Sequence, residues 1–479
     1  MLPLAEAKPV HARWSDVNRD FLEFVERNPE YLDRATFASL GADPRYRKFT
    51  LQPWPIFIGP EQAREMEEVV LGIDRLVKST LTRFLRGDPA RVIEYYRSNA
   101  LEEMDQADFI ALEMSEELLE LLLKEPTGIE GALSRADYIE TADGLKCIEF
   151  NAGSYLGGLS SHGVGEQDRK SPEIGRFLAE RGLATRPPRT LGALFRHLLD
   201  DTARIGAWKE GEFNVAVLAR PHEENQVALH DPELYQREMD RALAEDGRPT
   251  GGRVLLCAPE DVVDTEGVLT VSGHPVHAIV EQHDGSGDLR MVFWFFKHGR
   301  VDLFSGPITA LLLDKRNLAM ISENAESGEY TEAERALIAR HVPWTRRLLP
   351  AESTFRGRPL RIPEDVVERR EEFVLKKATS LGGSQVHVGR FRTDEEWRAT
   401  VERGLRENDW VVQEYLETVP YLRQGGESGV AQYDVVWGLF AFGSRFGGAL
   451  MRMQPQGGGR GVVTTRQGAE VGALLELAD

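Results

Sequence analysis

The sequence predicts a mixed α+β and α/β protein built from several lobes. Three observations predict it. The first 130 or so residues are mostly helical in pattern, residues 214–259 run strand, helix, strand, and the last third is a series of short strand pairs around a capped helix. At 479 residues the chain exceeds the usual size of a single core. The texture changes divide it into a mainly helical region (1–130), a hairpin with an α/β subdomain (131–310) and a lobed C-terminal part (311–479).

Each element has a local reason. EQAREMEEVVLGIDRLVKSTLTRFLRGDP (61–89) sets Met66, Val69, Val70, Ile73, Val77, Leu81 and Phe84 on one helical stripe. That helix begins after Pro60 and stops at Gly87-Asp88-Pro89, and it reads as packing rather than a partner site. ALSRADYIETADGLKCIEFNA (132–152) reads as a hairpin turning at Asp143-Gly144. A helix over 189–204 has Thr190 as its expected N-cap. NVAVLA (214–219) and RVLLCAP (253–259) are short apolar strands flanking a helix over 231–247, with Asp231 as N-cap and Pro232 at its first position. Continuous apolar strands joined through a helix indicate a parallel α/β unit. VHAIVEQHD (276–284) and DLRMVFWFF (288–296) are expected as two further strands, with the aromatic run 293–296 as sheet core.

Further on, EEFVLKKATSLGGSQVHVG (371–389) reads as strand, Gly-Gly turn, strand. Thr393-Asp394-Glu395-Glu396 is a capping box opening a helix to about Glu407. WVVQEYLE (410–417) is a strand, and 433–453 a strand pair around Gly443. QGGGRG (456–461) must be a loop.

Composition excludes several classes. No run of 18 apolar residues exists, so no membrane span is expected. The N-terminus lacks the pattern of a secretory signal. Two cysteines, Cys147 and Cys257, fit a reducing cytoplasm and exclude a cysteine-rich zinc site. A net charge of −20 argues against nucleic acid and gives only a weak hint of a cationic small molecule.

The chemistry begins at LKCIEFNAGSYLGG (145–158). In a strand, Glu149 and Asn151 share a face, opposite Ile148 and Phe150. A carboxylate and an amide displayed together suit a hard cation, and equally a solvated strand edge. Cys147 falls on the same face in a regular strand, where a small buried hydrophobe is the simpler reading. In the last third, Lys315 opens a helix, Lys376 or Lys377 ends a strand before Gly382 and Gly383, and Gln413, Glu414 and Tyr415 close another strand. Glycines let backbone N–H groups reach phosphate oxygens, and a lysine adds a point charge to them. His387, after the turn, is more simply a structural histidine.

Taken in order, these motifs resemble the circularly permuted ATP-grasp ligases, the group of glutathionylspermidine synthetase and eukaryotic-type glutathione synthetase. There the strand bearing Glu-x-Asn precedes the nucleotide-binding elements. The resemblance spans roughly 130–470 and implies ATP with magnesium, two ions in all, held by Asp137, Glu149 and Asn151. It implies Arg135 and Arg452 at the transferred phosphate, and Lys315, Lys376, Gly382, Gly383, Gln413, Glu414 and Tyr415 around the nucleotide. Ser154 and Tyr155 would then face the acid substrate. Lys376 aligns with the family lysine better than Lys377, although LKKA replaces the usual Lys-Pro. Leu381 stands near the place of a metal-binding glutamate of glutathione synthetases, and no N-terminal amidase unit is evident. The implied reaction joins a small-molecule acid to an amine through an acyl phosphate, and a homodimer would match the glutathione synthetases. A phosphotransferase on the same fold and a non-catalytic nucleotide-binding scaffold are the alternatives.

Overall fold

The computed structural model describes residues 11–41, 49–87, 129–219 (except 155, 157, 160 and 161), 232–282 (except 246 and 248–250), 289–304 and 309–478 (except 379, 381, 427 and 428). The calls on Tyr155, Leu381, the Asp231 cap and the Phe84 side chain lie outside the described residues. The chain is a mixed α+β structure with several sheets.

The central sheet joins distant parts of the sequence. Strands Leu133–Thr141 and Gly144–Ala152 form the expected hairpin. The first of them pairs with Val430–Phe442, Tyr138 standing opposite Trp437 and Asp137 opposite Gly438. Arg445–Pro455 and Glu470–Gly472 extend the sheet on that side, and Tyr421–Gln424 pairs with the start of Val430–Phe442. Alternation decides what each face does. Ala136, Tyr138, Phe150, Val435 and Trp437 enter one large core together with helix Pro60–Gly87, whose Met66, Val70, Ile73 and Val77 are buried as the stripe requires. Arg135, Asp137 and Ile139 face the other way.

A polar fastening closes the core side. Glu140 is buried and accepts from Trp14 Nε1 at 2.8 Å, pairs with Arg13 at 2.9 Å, and takes a short hydrogen bond from the Tyr421 hydroxyl. Burial raises the Glu140 carboxyl above its usual range, and these three partners pull against that rise.

The hairpin carries one departure from regular alternation. Asp137 pairs with Glu149 but Tyr138 pairs with Cys147, so Ile148 is an extra residue, a β-bulge. The bulge reverses the expected faces: Cys147 is buried in the core and Ile148 lines the cleft beside Glu149 and Asn151. Burial pushes the Cys147 thiol up, away from nucleophilic use.

The smaller lobe is an antiparallel sheet of Thr345–Arg347, Trp410–Glu414, Phe373–Lys377 and Val386–Val388. Helix Asp394–Glu407 covers it, opened by the predicted capping box, in which Thr393 Oγ1 accepts from Glu396 N and Thr393 N donates back to Glu396 Oε2. Phe373, Leu375, Trp397, Trp410 and Val412 form its core. The α/β unit is parallel as expected, with Ala278–Glu281 between Val215–Leu218 and Asp302–Leu303, and Val254–Cys257 outside. Strand Ile56–Ile58 pairs in parallel with Leu474–Leu477.

Two further local expectations fail. Residues 288–296 do not supply a strand: Arg290–Lys297 is a helix that buries Val292, Phe293, Phe295 and Phe296 and leaves Trp294 44% exposed. Burial at helical spacing overrides the β propensity of an aromatic run. Thr190 is the first helical residue rather than the cap, and Arg189 at the cap makes no side-chain capping bond.

Candidate functional site

The two sheets face each other across a cleft of about 1120 Å³, counted out to its mouth. The central sheet contributes Arg135, Asp137, Glu149, Asn151 and Arg452, and the smaller lobe contributes Lys376, Gly382, Gly383, Gln413, Glu414 and Tyr415. Thus eleven of the residues singled out in the sequence, from segments far apart in the chain, line one space. Lys315 and Ser154 are not among the lining residues. Lys315 lies just behind, its Nζ 3.2 Å from Glu149 Oε1 and donating to Ser380 O at 2.6 Å. Ser154 is fully buried and accepts from Glu281 N at 2.8 Å, tying the hairpin's exit to the parallel sheet.

Strand alternation separates the two lysines. Phe373 and Leu375 enter the lobe's core, so Val374 and Lys376 face the cleft. Lys377 turns away to Glu407 and Asp409, at 3.6 and 3.8 Å. Lys376 Nζ donates to Ile148 O and to Gln413 Oε1, each at 2.8 Å. The bulge at Ile148 therefore presents a carbonyl to the opposing lobe. Burial lowers the Lys376 amine to about 8, with Glu149 opposing that shift and Lys315 adding to it.

The acids are paired as closely. Asp137 Oδ2 is 2.6 Å from Arg452 Nη2, and Oδ1 is 3.4 Å from Arg135 Nε. Burial raises the Asp137 carboxyl, but Arg452 and Arg135 together outweigh it and hold the group below its ordinary value. Burial in turn lowers Arg135, opposed by Asp137 and reinforced by Arg452. Asn151 Nδ2 donates to Arg135 O at 3.1 Å, which commits the nitrogen and leaves the amide oxygen as its unused group.

The Gly382-Gly383 turn and the end of the 456–461 loop meet in the lining of the cleft. Gly382 and Gly383 have φ of 65° and 74°, and a Cβ on Gly383 would lie 2.9 Å from Val462 Cγ1. Only glycine suits both the left-handed backbone and that approach.

Gln413, expected around the nucleotide, spends its amide on Lys376 and on Thr345 Oγ1, at 2.8 and 3.0 Å. Glu414 accepts from Trp344 N at 2.8 Å, and Arg390 stacks 4.5 Å from the Tyr415 ring centre. His387 leans on Arg403 at 3.1 Å, and burial with two nearby arginines lowers it to about 4, so it is neutral. Sequence reasoning missed Asp434, which lines the cleft beside Tyr415 and accepts from Thr418 Oγ1 at 2.7 Å. The signal was present in the period-two pattern of Tyr433, Val435 and Trp437, all buried, which turns Asp434 and Val436 outward.

No family profile and no curated protein matches this chain. Among solved structures it is similar to a glutathione synthetase-like effector from Globodera pallida, determined in its apo form. The two agree with a TM-score of 0.55 over 89% of this chain and 90% of the other, at 12% sequence identity. The fold is glutathione synthetase-like. At that identity the likeness is one of backbone, so the residues in the cleft must argue their own chemistry.

The acids suit a hard divalent ion that keeps water and phosphate ligands, because Asp137 and Glu149 are register partners and Asp137 Oδ1 is buried without accepting a hydrogen bond. They do not suit a closed protein cage: among the described residues no three His, Cys, Asp or Glu side chains cluster as a metal site. Nor is any helix among them long and apolar enough to cross a membrane.

Proposed function

We propose that the chain is an ATP-dependent carboxylate–amine ligase of the circularly permuted ATP-grasp type. One observation carries the reading: an acidic hairpin and a lysine strand with a glycine turn, distant in sequence, line the same cleft. The γ-phosphoryl group of ATP passes to a substrate carboxylate oxygen, giving ADP and an acyl phosphate. An amine then attacks the acyl carbon, phosphate departs, and the amine loses a proton to leave an amide. Little covalent chemistry falls to the protein, so its residues act by position and charge.

Lys376, Lys315, Arg135 and Arg452 are the cations suited to the moving phosphoryl group, and Gly382 and Gly383 offer backbone N–H groups to its oxygens. Asp137, Glu149 and Asn151 would hold magnesium, which when bound supplies charge neutralisation between the phosphates. Asp434, which lines the cleft with Tyr415 and Leu416, would accept hydrogen bonds from ribose hydroxyls.

The test is product analysis with mixtures of amino acids, peptides and small amines. ADP and phosphate formed only when acid and amine are both present support the ligase. AMP with pyrophosphate would refute it, and a stable phosphate ester would indicate a phosphotransferase instead.

A further inference from the structure

Each acid of the proposed metal set already holds a cation of the proposed phosphate set. Arg452 and Arg135 lie 2.6 and 3.4 Å from Asp137, and Lys315 lies 3.2 Å from Glu149. Asp137 and Lys315 are 4% and 5% exposed, so neither finds an alternative partner in bulk water. A buried charge stripped of its counter-ion is strongly disfavoured.

Resting on the ligase reading, we propose that the cleft admits metal and nucleotide only as a pair. Phosphate arriving alone would draw Arg452, Arg135 and Lys315 off their carboxylates, stranding the buried Asp137 and leaving the partly exposed Glu149 without its cation. A divalent ion arriving alone would displace the same cations into a cleft with no phosphate to receive them. Arriving together, they exchange partners: metal takes the carboxylates, phosphate takes the guanidinium and ammonium groups, and no buried charge is left unpaired. Linkage makes the effect reciprocal, metal tightening nucleotide by the factor that nucleotide tightens metal.

The experiment is calorimetric titration with adenylyl imidodiphosphate, in chelator and in excess magnesium, on wild type, Asp137→Asn and Glu149→Gln. Wild type is expected to bind the magnesium complex about tenfold or more tighter than the bare analogue. Both variants are expected to bind the bare analogue more tightly than wild type does, because the opposing acid no longer retains the cations. If the acids only ligate metal, the variants keep the wild-type affinity for bare analogue and lose only the magnesium-dependent part, which overturns the proposal. Equal wild-type affinity with and without magnesium overturns it too, while leaving the ligase reading standing. Absence of binding under every condition removes the ligase reading and the pairing together. Thermal melts check that the variants fold; should one fail, the other and the wild-type comparison still decide.

Discussion

At the scale of single residues the cleft depends on which way each side chain points. Lys376 is the clearest case, since the sequence offers two adjacent lysines and only alternation against Phe373 and Leu375 separates them. Its amine sits near 8, so it is charged at pH 7 and largely neutral at pH 9. Affinity for magnesium nucleotide is therefore expected to fall by about tenfold between those values, if Lys376 carries the phosphate. Titration calorimetry across that range measures it, and Lys376→Gln should flatten the profile. A pH-independent wild type would remove Lys376 from the phosphate site. Glu149 and Asn151 were legible from the period of a strand, but Cys147 and Ile148 were assigned to the wrong faces. One inserted residue moves every side chain beyond it, and a bulge leaves no mark in hydrophobic pattern alone.

At the scale of elements, capped and strongly periodic segments were legible and ambiguous ones were not. The box at Thr393 and Glu396 opened its helix where expected. Thr393→Ala should cost about 1 kcal/mol, read as a shift in the urea midpoint. The run 290–297 deceived because its aromatic residues favour strands in general, while its burial pattern is helical. A subtler element feature is Gly438, directly opposite Asp137 in the central sheet. A Cβ there would stand 3.0 Å from Arg135 Cδ and from Leu450 O. Gly438→Ala is expected to destabilise the protein by roughly 1–3 kcal/mol and to shift Arg135 from Asp137. Urea unfolding and nucleotide titration read the two effects, and an unchanged nucleotide affinity would count against Arg135 as a phosphate ligand.

For the molecule as a whole, the parallel unit, the two hairpins and the C-terminal strand pair were all readable locally. What could not be read from pattern was which segments meet, because pairing partners separated by hundreds of positions leave no local trace. The proximity of the acidic hairpin to the lysine strand rested on motif order alone, and the described structure has them lining one cleft. The pairing of Ile56–Ile58 with Leu474–Leu477 had no signal beyond two apolar runs. Leu475 is fully buried there. Leu475→Ala is expected to lower stability by about 2–5 kcal/mol, measured by chemical denaturation, without altering the cleft's residues.

The central sheet also sets a timetable. Tyr138 cannot find Trp437 until the ribosome has made every residue between them, so the outer edge of the acidic hairpin waits uncovered through all of that synthesis. Long-range closure of this kind is slow, and an exposed strand edge invites pairing with other nascent chains. Recombinant yield should therefore respond to slower translation or added chaperones more than to any surface substitution.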